Sequence, residues 1–324
     1  MALLALARWT QPNFARMAST RGRAQVLAIP YSHFCELGAW SLDAASIPYD
    51  EHAFAPGQNV LPMLSLRVAG PTKFLARTSA VTAVAPIDAT RPSSSKPYKP
   101  HHPTSVPACV LPDGEVLVDS WSMVQHSAMI IDQPPPSEEL QKCLDEEVGP
   151  LIRQALYEVI FRDLNRATWD GLVTEEASAA WSLAWRMGVG SRLTDAMMKL
   201  FRTHDQQAVA LGRERLYAAL ATLEREHLSA LAAQAAAGQG GFLGGEHPGL
   251  SDIAVAAICA PMAMPTQFAR GRFAKWFDML LEKDADMKRE VERFRETAAG
   301  SHCLKVYDAC RVQPLALRAG GAKC

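Results

Sequence analysis

The stretch Val26-Leu27-Ala28-Ile29-Pro30-Tyr31-Ser32-His33-Phe34-Cys35-Glu36-Leu37-Gly38-Ala39-Trp40-Ser41-Leu42 constrains this chain more than any other. Four apolar residues, Val26 to Ile29, suit a short buried strand, and Pro30 ends it. From Glu36 onward, Leu37, Trp40 and Ala44, with Leu42 and Ala45 beside them, fit an amphipathic helix. The turn between carries Ser-x-x-Cys. A hydroxyl or thiol at a helix start meets unpaired backbone N–H groups and the positive end of the helix dipole, so an anion is stabilised there.

The following segments extend the pattern. Residues 47–54 alternate apolar and polar as an edge strand would, with Pro48 near the start. Residues 59–80 suit a short helix interrupted by Pro62 and Pro71. Residues 86–103, rich in Pro, Ser and Lys, read as an irregular loop. His101-His102 is a candidate metal pair, although two adjacent histidines without further partners are commonly just solvated. Residues 105–111, the turn Pro112-Asp113-Gly114 and residues 115–119 make a hairpin, and Asp119 or Ser120 caps a helix that follows. The order strand–helix–strand, then strand–strand–helix, is that of a thioredoxin-like domain.

Pro134-Pro135-Pro136 is a stiff break. Beyond it the chain reads as almost all helix: 137–162, 175–188, 193–202, 205–236, 250–263, 271–283, 286–298 and 301–311. Residues 250–263 are apolar on nearly every face, which marks a central buried helix. Residues 312–324 read as a tail. The 324 residues can hold one large or two ordinary domains. The predicted organisation is a leader over 1–24, a thioredoxin-like domain over 25–132 with an irregular insert at 81–104, and an all-helical domain over 137–311.

A net charge of −1 gives no bulk attraction to nucleic acid or to an anionic membrane, and no run is apolar enough to span a bilayer. Seven scattered cysteines, with no C-x-x-C pair, favour free thiols in a reducing compartment. Residues 1–25 carry Arg8, Arg16, Arg21 and Arg23 but no acid. Such a leader resembles an organellar transit peptide, for chloroplast or mitochondrion; the alternative is a disordered extension on a cytoplasmic protein.

With the segments in this order, the chain resembles the soluble glutathione transferase superfamily over about residues 25–311. Ser32-His33-Phe34-Cys35-Glu36 is similar to the opening of one transferase-like group, with Leu37 and Ala39 where a basic pair is common. Ser105-Val106-Pro107 with Asp119-Ser120 resembles the family's glutathione cradle. There the proline is cis, the backbone of Val106 would pair with the cysteinyl part, and Asp119 and Ser120 would hold the γ-glutamyl end. Residues 241–256 resemble the core-helix signature, in which Asp252 closes a capping box and is a folding residue; Gly249 supplies no side-chain oxygen, so the box is half formed. Residues 149–157 and 294–300, with Tyr307, resemble the same group and suggest only helix packing.

The resemblance implies glutathione as co-substrate with no metal, a small apolar electrophile as the other substrate, a detoxifying role and a homodimer. Ser32 would donate to the glutathione sulfur and favour its thiolate, unless it only caps the helix. Cys35 and Tyr31 are the second choices, and His33 adjoins the loop. A Cys35-dependent thiol oxidoreductase or peroxidase, and a non-catalytic binding module, are the competing readings. Trp181, Trp185, Met187, Met197 and Met198 are candidates for an apolar substrate wall, or for core.

Overall fold

The computed structural model describes residues 14–69, 105–175, 177–236 and 240–311. Helix α1 (Phe14–Arg21) leads into strand β1 (Ala24–Ala28), helix α2 (His33–Ala44), strand β2 (Tyr49–Ala53) and helix α3 (Val60–Ala69). Strands β3 (Ala108–Val110) and β4 (Val116–Leu117) follow, then helix α4 (Ser120–Ile131). The sheet order is β2-β1-β3-β4. β1 runs parallel to β2, with Val26 opposite Glu51, and antiparallel to β3, with Val26 opposite Cys109. This four-stranded mixed sheet, followed by a mostly helical second half, fits the expected thioredoxin-plus-helical plan. The expected edge strand, β2, is at the edge.

Alternation along the strands builds two layers. Val26, Ala28 and Cys109 face Ala39, Leu42 and Met123 of α2 and α4. Leu27, Ala108 and Val110 face Phe14 and Ala18 of α1 and Met63 and Leu66 of α3. Pro62 does not interrupt α3. It falls in the first turn, where a missing N–H costs little. Gly38 lets α2 and α4 approach, because a Cβ there would lie 2.7 Å from Met123 Sδ.

The expected leader over 1–24 is corrected in its second half. Phe14 and Ala18 are buried against the sheet. Arg21 and Arg23 both pair with Asp50 at 2.9 Å and hold its carboxyl low, at about 2. Two of the arginines that gave the leader its character therefore anchor the first helix and strand to β2. Residues 1–13, the 81–104 insert with His101-His102, and the 312–324 tail lie outside the described residues.

The helical part comprises α5 (Glu138–Lys142), α6 (Gly149–Ile160), α7 (Arg166–Glu175), α8 (Ala179–Ala184), α9 (Gly190–Leu200), α10 (Gln206–Leu223), α11 (Ser229–Ala236), α12 (Leu250–Ala263), α13 (Ala274–Lys283), α14 (Ala285–Arg295) and α15 (Ala298–Cys310). A π-helical turn, Cys143–Val148, joins α5 to α6. α12 is the central helix: all its residues except Ser251 are buried, and it packs on α15, α2 and α6. Asp252 anchors its start. The carboxylate accepts from the N–H groups of Leu243 (2.7 Å), Gly244 (2.8 Å) and Gly249 (2.8 Å), and His302 Nε2 lies 2.9 Å away. Burial alone would raise the carboxyl, but these contacts hold it below the usual range. The acid half of the capping box is present, and Asp252 serves the fold.

α7 is not among the expected helices. Gly171 and a polar first turn hide it, and it is secured by Trp169, which is fully buried and donates to Thr194 Oγ1 at 3.0 Å. Among the described residues no helix is long and apolar enough to cross a membrane.

Candidate functional site

The turn between β1 and α2 is tight. Ser32 N–H donates to Ile29 C=O at 2.9 Å, and Glu36 N–H donates to Ser32 C=O at 2.9 Å to open the helix. Ser32 has the extended backbone of an N-cap (φ −82°, ψ 123°), yet its side chain makes no capping hydrogen bond. The capping explanation for this serine therefore fails at the hydroxyl. Ser32 instead lines a cavity of about 650 Å³ together with Tyr31, His33, Phe34, Ser105 and Val106. That volume suits a small-molecule site.

The far wall comes from the helical part. Arg153, Leu156, Tyr157 and Ile160 belong to α6, Thr168, Trp169 and Leu172 to α7, and Met197 and Leu200 to α9. Trp276, Phe277 and Leu280 of α13, with Phe268, complete it. The lining is thus largely apolar, with a few polar groups gathered near the β1–α2 turn.

Val106–Pro107 is a cis peptide, one residue ahead of β3. Val106 lies outside the β1–β3 ladder and faces the cavity. Pro107, Asp119 and Ser120 do not line it. Asp119 caps α4, its Oδ1 accepting from Ser122 N–H at 2.6 Å. Ser120 is buried, and its hydroxyl has no hydrogen-bond partner. Of the expected site residues, the structure brings the catalytic candidates Ser32 and Tyr31 and the cradle residue Val106 to the cavity, and leaves Pro107, Asp119 and Ser120 of the cradle outside its lining.

Cys35 faces elsewhere. It is 2% exposed and packs between the sheet and α2. Burial pushes its thiol up to about 12, despite hydrogen bonds from the Ile29 N–H (3.4 Å) and the Ser32 hydroxyl. Cys35, Cys109, Cys143, Cys259 and Cys303 are all free thiols. Tyr31 has a buried hydroxyl without a partner, which burial and the nearby Tyr157 push well above the ordinary phenol. The His33 ring is buried, with Nε2 unpartnered, and burial and then Arg153 push it well below the ordinary imidazole, so it is neutral near pH 7.

Of the proposed apolar wall, only Met197 lines the cavity. Trp185 is core and donates to Asp170 at 2.8 Å, Trp181 packs over Gly57, and Met187 is exposed. Among the described residues no group of three His, Cys, Asp or Glu side chains could hold a metal ion.

Sequence reasoning missed Arg153 and Tyr157 as cavity residues. Their i, i+4 spacing, which puts both on one face of the helix, was the available signal. It also missed Glu36, which is buried and paired with Arg311. Leu37 and Ala39 are buried in the packing of α2, so the positions where a basic pair is common serve the core here.

No protein-family model matches the chain, and no curated protein matches it. Two solved structures are similar to it. One is a glutathione S-transferase from Xanthobacter autotrophicus Py2, at 16% identity and a TM-score of 0.33, over 90% of this chain and 97% of that one. The other is a glutathione S-transferase of Ceriporiopsis subvermispora in complex with glutathione, at 15% identity and a TM-score of 0.38, over 85% of this chain and 97% of that one.

Proposed function

We propose that this protein binds glutathione against Ser32 and Val106 and joins its sulfur to a small apolar electrophile held in the cavity. One observation carries the reading: a serine at a helix N-terminus, with its hydroxyl not used as a cap, shares an apolar cavity with the residue before a cis-proline. The Ser32 hydroxyl, rotated from Cys35, would donate its one proton to the sulfur, and the unpaired N–H groups of the first turn of α2 add positive potential. Both favour the thiolate over the thiol. Glutathione releases its thiol proton to solvent, the thiolate attacks an electrophilic carbon, and an S–C bond forms as the leaving group departs with its electron pair. Val106, free of the ladder, offers its N–H and C=O to the cysteinyl peptide.

The Cys35-dependent alternative requires a thiolate, and that sulfur is buried, pushed up to about 12 and turned from the cavity. The test uses the chain with Ser32→Ala and Cys35→Ala variants, glutathione binding by calorimetry, and conjugation to 1-chloro-2,4-dinitrobenzene. Binding and turnover are expected in the unmodified chain. Ser32→Ala should lose roughly tenfold or more in turnover, as expected on removing a hydrogen-bond donor to a reacting anion. Cys35→Ala should turn over as the parent does. A parent that neither binds nor conjugates rejects the reading, as does loss of activity confined to the cysteine variant.

A further inference from the structure

Arg153 is the part of the cavity wall that thiolate chemistry leaves unexplained. It belongs to Gly149-Pro150-Leu151-Ile152-Arg153-Gln154-Ala155-Leu156-Tyr157, the segment whose sequence suggested only helix packing. Arg153 and Tyr157 lie one helical turn apart, and both line the cavity. The guanidinium carbon lies 5.3 Å from the Phe34 ring centroid and 5.8 Å from that of Phe201. These aromatic faces are its neighbours, and among the described residues no carboxylate pairs with it. The buried acid Asp145 feels its charge, but the two form no ion pair.

A half-buried guanidinium in an apolar cavity, with no carboxylate at ion-pair distance among the described residues, is poorly compensated by ring faces. One cation without an ion pair, in a largely apolar lining, forms a site for an anion on an apolar body. A planar guanidinium matches a carboxylate by two parallel hydrogen bonds.

We propose that the cavity takes a small molecule with an apolar body and a carboxylate head, and that Arg153 holds the head. The proposal deepens the reading above by naming the class of the second substrate, and it rests on the same cavity but not on glutathione. Glutathione itself carries carboxylates that would satisfy the same guanidinium, so the experiment separates the two sources.

The probes are 4-phenylbutanoate and its neutral amide, titrated by calorimetry into the parent chain and into Arg153→Met, without glutathione. The parent should bind the acid at least tenfold more tightly than the amide. Arg153→Met should abolish that preference while keeping the amide's affinity, and a parallel titration should show glutathione affinity unchanged. The proposal is overturned if neither probe binds the parent, or if the parent binds acid and amide alike. The parent comparison decides this even if the variant does not fold. It is equally overturned if Arg153→Met keeps the preference, or if the variant loses glutathione affinity and not the acid's. Acid preference in a parent that never conjugates would reject only the transferase reading.

Discussion

Helix α2 meets an arginine on each of two sides, and the two are treated in opposite ways. On one side Arg311 reaches Glu36 through Nε and Nη2, each at 3.0 Å, and Asp43 through Nη1 at 2.5 Å. Tyr307 donates to Glu36 at 3.1 Å. Arg270 joins the same cluster by bonding Asp43 at 2.5 Å and the Tyr49 hydroxyl, and Arg272 bonds Glu51 at 2.6 Å. Every cation there has a carboxylate at hydrogen-bond distance, and Arg311 is held charged, its guanidinium raised above the ordinary value by Glu36 and Asp43 against the opposing pull of burial. On the other side Arg153 has two aromatic rings and a cavity. In this cluster the fold supplies each buried charge with its opposite, linking the end of the helical part to the sheet-bearing part. Among the described residues, the one cation beside α2 that has no ion pair, Arg153, lines the cavity.

Breaking the compensated side should have the largest effect. Arg311→Met strands Glu36 in a buried site, and urea denaturation should show a loss of about 3–5 kcal/mol. Adding Glu36→Gln should recover part of it, because the stranded charge is then gone. A loss no larger than that of an ordinary surface substitution would mean that the cluster does not join the two parts.

Asp145 sharpens the contrast, since it is a buried acid without a paired cation. Burial, and Asp119 nearby, push its carboxyl up to about 8. A raised carboxyl binds its proton more tightly folded than unfolded. Asp145 therefore opposes folding least below the unfolded carboxyl value of about 4, and its cost grows until pH reaches about 8. Asp145→Asn should remove that slope and stabilise the protein at pH 8 by on the order of a few kcal/mol. Urea midpoints of parent and variant between pH 4.5 and 8.5 measure it, and parallel curves would dismiss the lone-acid account. The smallest effect belongs to Arg153→Met. Losing cation–π contacts alone should change stability by about 1 kcal/mol or less. A loss comparable to that of Arg311→Met would make Arg153 a structural cation and erase the contrast.

Much of the scaffold was legible in advance because its signals are local. Pro30 and the apolar run before it announce β1 and the turn. Asp113-Gly114 announces the hairpin, with Gly114 at φ 89°. The largely apolar run of residues 250–263 announces the central helix, and its bounds in the structure are the same. Phe14 and Ala18 were hidden inside what reads as a leader, because arginine-rich, acid-free composition says nothing about the acid a folded partner will supply. Asp50, on β2, supplies it. The site divides in the same way. Ser32 and Val106 were legible from a turn and a proline, whereas Arg153 stood in a segment that reads as packing.

What the sequence determined by itself is the order of elements, their breaks and caps, and which helix is central, since periodicity and backbone chemistry act within a few residues. Only the tertiary structure decided which polar groups are satisfied. Ser32 and Cys35 are three residues apart, and the sequence offers both as anion-stabilising sites. The fold turns the serine to the cavity and seals the thiol in the core. Glu36 and Arg311 are 275 residues apart, and Arg153 differs from Arg311 only in what the folded chain brings beside it. Compensation of a charge depends on neighbours within about 4 Å and on how much water remains, and neither is written in the spacing of residues along the chain.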